Sequence, residues 1–311
     1  MDTIGRELNQ FNRKDIECIV IDDHTPAGKE TLDHLKQKYP WVKFFRNEKN
    51  LGPAHSRNLG TEQTSNDRVW FLDSDVYFEE HAISNMMALC KEQPDYCGIL
   101  SGVGLKAVSN KSFQKYKNYV ECSWQPKEGI TYTVDSKSFL LKKDAFRKVG
   151  GFNISFNSPN VEDYDLCYRL LKINVPLFFT HRVKIYHHHP TFFKQFKLFY
   201  ERAKNWMQSK SVYGYSSDDW ATTKSEAALQ LVNVGILGGL VLWVFFPFAL
   251  IAIVMLLVCW MLLNRKVLSF LAHEDEPPIF FLQFFFYSCI LALPVCAGAF
   301  VGLFRNFRKS S

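Results

Sequence analysis

The chain of 311 residues is 47% apolar and 22% charged, with 12 Pro and 16 Gly, a balance that excludes disordered, collagenous and low-complexity classes. Its formal charge of +6 is unevenly held, because no Asp, Glu, Lys or Arg occurs between Glu226 and Arg265 or between Glu276 and Arg305. Eight cysteines, at 18, 90, 97, 122, 167, 259, 289 and 296, form no C-x-x-C pair. They read as buried thiols of a reducing compartment and not as a disulfide framework or a zinc cage.

In chain order, residues up to about 215 alternate short β-forming runs with helical patterns, which predicts an α/β fold. Residues 17–22, ECIVID, form a buried strand leading into the acids Asp22 and Asp23. Thr31 to Lys38 is helical, Val42 to Arg46 is a short strand, and Gly52 to Gly60 starts another helix. Residues 68–73, RVWFLD, form a strand that delivers Asp73, Ser74 and Asp75 at its carboxyl end. Ligands of open α/β sheets bind beyond the carboxyl ends of the strands. Two strands ending in paired acids would therefore converge on one crevice. Clustered carboxylates repel there unless a cation, or a ligand's ribose and base donors, sits among them. Taken alone, each pair has a plainer reading as a turn or an N-cap, and Asp163-Tyr164-Asp165 is a decoy D-x-D.

Residues 182–210 hold seven Lys or Arg against one acid, Glu201, and interleave them with Phe192, Phe193, Phe196, Phe199, Tyr200 and Trp206. Such a segment just before a membrane reads as an interfacial helix on anionic lipid, with phosphate-bearing substrates as a further role; no nucleic-acid partner is expected. The uncharged stretch 227–264 has 38 residues, about 57 Å as helix, nearly twice a bilayer core of about 30 Å. Pro247 near its middle predicts a hairpin, 229–246 and 248–263. A further span fits 277–304, so the spans number two or three. The expected organisation is an α/β domain at 1–181, the basic aromatic helix and linker at 182–226, transmembrane helices at 227–304 and a basic tail at 305–311.

The motifs come in a fixed order: ECIVIDDHTPAGKETL, NLGPAHSRNLG, VWFLDSDVYF, FLLKKDAFRKVGGFN, VEDYDLCYRL, and a strand ending in IYHHHP. Over about residues 4–210 this pattern resembles the family 2 glycosyltransferases, inverting enzymes of the GT-A, Rossmann-like, nucleotide-sugar fold. The tail looks like that of integral-membrane members acting on lipid-linked or surface-polysaccharide precursors. By that resemblance Asp22, Asp23, Arg57 and Asp73 bind the nucleotide sugar. Asp75, with Asp73 and His187, holds a divalent metal, Mg or Mn, bridging the diphosphate. The register among His187, His188 and His189 stays open, and three consecutive histidines also read as a surface tract. Glu162 and Asp163 match the family's E-D pair, with Asp163 as the general base toward an acceptor hydroxyl. The plainer reading of Asp163 is a helix cap in an acidic first turn. Residues 202–206, RAKNW, are similar to the Q-x-x-R-W motif of processive synthases but lack its Gln and second Arg, which favours a non-processive enzyme.

The resemblance implies a membrane-bound inverting transferase moving sugar from a nucleotide-sugar donor to a lipid-linked or glycan acceptor, multi-pass in the cell membrane with its catalytic domain on the cytoplasmic face. One departure stands against it. Members normally open with a V-S-V-V-I-P type strand, and here Met1 falls inside what resembles the helix after it. That strand is central in a doubly wound order, so its neighbours would lose their shared partner. Either the true start lies upstream or the chain is a truncated relative, and the alternative function is a non-catalytic membrane scaffold with a degenerate nucleotide-sugar fold. A transporter is disfavoured because the spans carry no Asp, Glu, Lys, Arg or His.

Overall fold

A computed structural model describes residues 2–8, 15–26, 28–155, 161–213 and 224–307; residues 214–223 of the expected linker and the tail beyond 307 lie outside them. In chain order the elements are α1 (Asp2–Leu8), β1 (Cys18–Asp22), α2 (Gly28–Lys38), β2 (Val42–Arg46), α3 (Pro53–Glu62), β3 (Arg68–Leu72), β4 (Val76–Phe78), α4 (Ala82–Glu92), β5 (Gly98–Val103) and α5 (Ser112–Trp124). There follow β6 (Gly129–Thr131), β7 (Ser138–Lys142), α6 (Lys143–Lys148), α7 (Glu162–Lys172), β8 (Leu177–His187), α8 (Phe192–Tyr213), α9 (Lys224–Trp243), α10 (Ala249–Leu263), α11 (Arg265–His273) and α12 (Pro278–Phe307). They form two compact units, Met1–Gly104 with Pro126–Tyr186, and Leu105–Gln125 with His187–Ser311. The division differs from the one expected at residue 181, because α5 packs with the C-terminal helices.

In the first unit a six-stranded mixed sheet runs β3-β7-β5-β8-β4, with β6 on β8. β3 and β5 each pair antiparallel with β7, and β5 pairs parallel with β8. Alternation along the strands gives each face its own core. Phe71, Leu100, Phe139, Leu141, Leu177 and Phe179 pack with Phe146, Phe152, Leu166 and Leu170 on the α6–α7 side. Ile99, Leu140 and Val183 pack with Met86 and Leu89 of α4 on the other. β1 and β2 form a separate parallel pair. Among the described residues β1 and β3 each have a ladder partner on one edge only. All five residues of β1, CIVID, are accordingly only half-buried.

The second unit consists of α5 and α8 to α12. Phe113, Tyr116 and Tyr119 of α5 pack with Leu229, Ile236, Trp260, Leu271, Phe280 and Phe284. Polar ties reinforce this: Glu276, at the entry to α12, accepts hydrogen bonds from Lys115 and Tyr119, and Trp124 donates to Glu226. The α9–α10 pair breaks around Pro247 as expected, and its apolar side chains from Leu240 to Leu263 are largely exposed. Two helices, Lys224–Trp243 and Pro278–Phe304, are long and apolar enough to cross a membrane, and α10 with α11, bent by 69°, makes a third if the pair is one span. α8 runs beside α12, where glycines let the backbones approach closely: a Cβ at Gly298 or Gly302 would strike the carbonyl of Tyr200 or Lys204. All eight cysteines are free, but only Cys122, Cys167 and Cys289 are buried and Cys259 is exposed. The expectation of uniformly buried thiols therefore does not hold, since residue 259 falls on an outward face of α10.

Candidate active site

The acids after β1 shape the segment that enters α3. Asp23 accepts hydrogen bonds from the Leu51 and Gly52 backbone N–H groups at 2.8 and 2.7 Å and from the Asn47 side chain at 2.7 Å. Burial raises its pKa, but these bonds and one to Ser56 outweigh it, so the carboxyl titrates below its ordinary range. Gly52 takes φ 87°, a conformation open to glycine, and Pro53 follows at the first turn of α3. Asp22 is engaged by its own surroundings: Thr25 donates to it through N–H and hydroxyl, and Arg46 pairs with it across the β1–β2 ladder.

One turn into α3, Arg57 joins two of the motifs that the sequence singled out. Its guanidinium donates to Asp73 Oδ1 at 2.7 Å and to Glu162 Oε1 at 3.0 Å, and it lies 5.3 Å from the centre of the Phe152 ring. Burial works against its charge, yet the two carboxylates prevail and push its pKa above the ordinary value. The planar, forked guanidinium suits this bridging in a way that a lysine ammonium does not. The carboxyl end of β3 and the start of α7 are therefore fixed to one cation.

Two further residues hold this geometry, and the sequence reading gave them no role. Asn58 brackets the Phe152 backbone, donating to its carbonyl and accepting from its N–H, both at 2.8 Å. Arg169 pairs with buried Asp165 at 2.6 Å and donates to the carbonyls of Val149 and Gly151. Between them they clamp the Gly150-Gly151-Phe152 turn, whose glycines take φ 78° and 72°. Asn58 follows Arg57 in the G-P-A-H-S-R-N segment, which was the available signal. Asp165, the second acid of the decoy D-x-D, is buried in this ion pair.

Asp163 is half-buried at the second position of α7 and accepts the Tyr164 N–H at 2.9 Å. The N-cap position itself belongs to Val161, with no side-chain cap bond. Asp163 therefore does not occupy the N-cap. Asp73 and Asp75 flank exposed Ser74 in the turn between β3 and β4, both partly exposed. His187 belongs to the second unit, where its ring neighbours Glu121 and His189. His188 is exposed, as period-two alternation in extended chain dictates.

The sequence and the fold also have known counterparts. Residues 1–215 match the model of the glycosyltransferase-like family 2. An uncharacterised glycosyltransferase of Haemophilus influenzae is 30% identical over 186 residues, covering 55% of this chain and 60% of its own length. The pre-mycofactocin glycosyltransferase of Mycobacterium tuberculosis is 25% identical over 238 residues, covering 74% of this chain and 47% of its own. The chain thus spans about half to three fifths of the length of these relatives. Among solved structures, the mannosyltransferase PcManGT of Pyrobaculum calidifontis, determined with GDP-Man and Mn2+, superposes with a TM-score of 0.56 at 13% identity, over 98% of this chain and 84% of its own. That likeness carries the GT-A-type fold. With its ordered motifs, its α/β sheet and a family match over more than half its length, the chain belongs to the glycosyltransferase-like family 2.

Proposed function

We propose that the chain transfers a sugar from a nucleotide-sugar donor to the hydroxyl of a lipid-linked or surface-glycan acceptor at a membrane, with inversion at the anomeric carbon. The observation that carries this is the Arg57 bridge, which brings the D-x-D acid Asp73 and the E-D acid Glu162 onto one guanidinium. Asp22 and Asp23 are assigned to the nucleoside end, Asp23 also shaping the 47–52 segment through the bonds it accepts. Two partly exposed carboxylates two residues apart, Asp73 and Asp75, offer the oxygen ligands that suit Mg or Mn. Such an ion, when bound, stabilises the charge that develops on a diphosphate leaving group. Arg57 contributes fixed positive charge beside the same acids. Asp163 takes the proton from the acceptor hydroxyl, whose oxygen forms the bond to the anomeric carbon as the bond to the diphosphate breaks.

The exposed side of α8 carries Phe193, Lys194, Phe196 and Lys197, which supports contact with an anionic lipid surface. With two or three apolar helices, the reading is a multi-pass protein whose first unit faces the cytoplasm, where nucleotide sugars are made. The separate β1–β2 pair favours the second reading, a non-catalytic scaffold. Nucleoside diphosphate release separates the two, measured with full-length chain in lipid, UDP- and GDP-sugars, Mn2+ and polyprenyl-phosphate acceptors. Asp163→Asn should retain donor binding yet lose turnover by about 100-fold or more. Near-normal turnover in that variant would remove Asp163 from the mechanism, and no release by the unmodified chain with any donor would leave the scaffold.

A further inference from the structure

What lies beside α12 in the second unit bears on whether that helix crosses the membrane. α12 makes its most extensive contact with α8, and the two helices run in the same direction. Phe192 meets Tyr287 with ring centroids 5.8 Å apart, Tyr200 lies against Gly298, and Lys204 lies against Gly302. A Cβ at either glycine would strike a backbone carbonyl of α8, so no lipid fits between the two helices. The first part of α12 is flanked in the same way by α5. Phe280 meets Tyr119, Phe284 meets Tyr116 and Tyr287 meets Phe113, with centroids 6.0, 4.9 and 5.2 Å apart.

Both flanking helices are charged. α8 carries Lys194, Lys197, Glu201, Arg202 and Lys204 in the stretch beside α12, and Lys194, Lys197 and Arg202 are exposed. From Tyr287 to Gly302 is about 22 Å of helix, most of a bilayer core of about 30 Å. A crossing α12 would carry those charges to hydrocarbon depth, where they are costly, and long basic side chains reach the headgroups only from near the ends of a span. From this geometry we infer that α12 does not cross the membrane. It lies along the surface beside α8, in the headgroup–acyl boundary of one anionic leaflet, and leaves the α9–α10 hairpin as the crossing element among the described residues. The inference rests on the membrane part of the proposed function and not on its transfer chemistry.

Two further observations agree. The exposed apolar residues Ile279, Leu282, Phe286, Leu293, Phe300 and Phe304 of α12 follow one narrow stripe of a 3.6-residue helix, which suits the acyl side of that boundary, while Lys194 and Lys197 suit its anionic headgroups. In the hairpin, by contrast, every residue from Leu240 to Ala252 except Ala249 is exposed, as lipid on all sides allows. Charge agrees as well. Arg305, Arg308 and Lys309 then stay on the same face as Arg265 and Lys266, as the positive-inside tendency favours, whereas a third crossing would send them outside.

Full-length chain is reconstituted in anionic phospholipid vesicles, with Leu282→Trp, Leu293→Trp, Phe304→Trp or Phe246→Trp each adding one indole. Quenching by lipids brominated at graded depths is read against the unmodified chain. The three α12 indoles should sit at one shallow depth, within about 5 Å of one another, and Phe246→Trp in the hairpin should also be quenched. Leu293 lies 11 residues from both Leu282 and Phe304, so a crossing helix would place it about 16 Å deeper than either. That result would overturn the inference. A protease-cleavable tag after Ser311 of the otherwise unmodified chain gives a second reading. In sealed vesicles with the cytoplasmic face outward the tag should be cut without detergent, and protection would overturn the inference even if an indole variant failed to fold. No quenching at any of the four positions would sink the membrane reading and the inference with it, whereas a chain without transferase activity would leave the depth results standing.

Discussion

Replacing Arg57 by Met tests the bridge at the centre of the site. The side chain of Arg57 is 14% exposed, that of Glu162 is 5% and that of Asp73 is 36%. Asp73 is therefore well screened, and its share of the pair is at most about 1 kcal/mol. Glu162 is the expensive partner, because breaking a buried pair by removing one member costs about 3–5 kcal/mol. Met keeps apolar contact with Phe152, so the net loss is about 3 kcal/mol, near 10 °C in melting temperature for a unit of this size. Thermal unfolding of the full chain in detergent measures this. Adding Glu162→Gln to Arg57→Met removes the buried charge and should recover more than half the loss. A single variant melting within about 2 °C of the unmodified chain, or a double variant no better than the single, would refute the reasoning.

Asp75→Ala should abolish Mn2+-dependent donor binding while leaving the fold intact, and calorimetry that finds unchanged affinity would reassign the metal. Glu17 is held at a pKa of about 2, chiefly by its bond from Lys43 against the opposing effect of burial and with help from Ser65 and Thr64. Its stabilisation is present above the ordinary value of 4.5 and lost as pH falls through about 2. Glu17→Gln should thus cost about 1 kcal/mol at neutral pH, a charged hydrogen bond discounted for the exposed Lys43, and the gap in melting temperature should narrow below pH 4. Reversing the charge of Lys194 and Lys197 to Glu should weaken co-sedimentation of the detergent-depleted chain with anionic vesicles at low salt and leave neutral vesicles unaffected; equal loss with both would place these residues off the lipid surface.

Local pattern carried much of this architecture. The five-residue strand β3 ends where its apolar run stops, the α9–α10 break falls at Pro247, and α3 starts at the Gly52-Pro53 step. The motif order carried the family. Distant pairing was not legible: Lys115 and Tyr119 meet Glu276 across more than 150 residues, and no local signal assigns α5 to the C-terminal helices. The histidine register was readable in principle, since an extended H-H-H run must present its first and third members together. Glu121 was not, because it reaches them from a helix 66 residues earlier. The two partners of Arg57 lie 16 and 105 residues away, so only the folded chain reveals that one side chain serves both acids.

The separation of the β1–β2 pair from the six-stranded sheet gives the first unit two stiffnesses. Asp22 and Asp23 leave the end of a five-residue ladder, whereas Asp73 leaves a strand backed by the full sheet and its two cores. A short ladder with little buried apolar surface opens at lower free energy than the sheet beside it. A nucleoside seated against Asp22 and Asp23 would spend part of its binding energy on quieting that ladder, while the diphosphate end would meet a frame already set. Affinity for the base would then be governed by entropy lost in the protein as much as by the hydrogen bonds the base makes. Slower amide exchange across Cys18 to Asp22 would record it, with little change along Arg68 to Leu72.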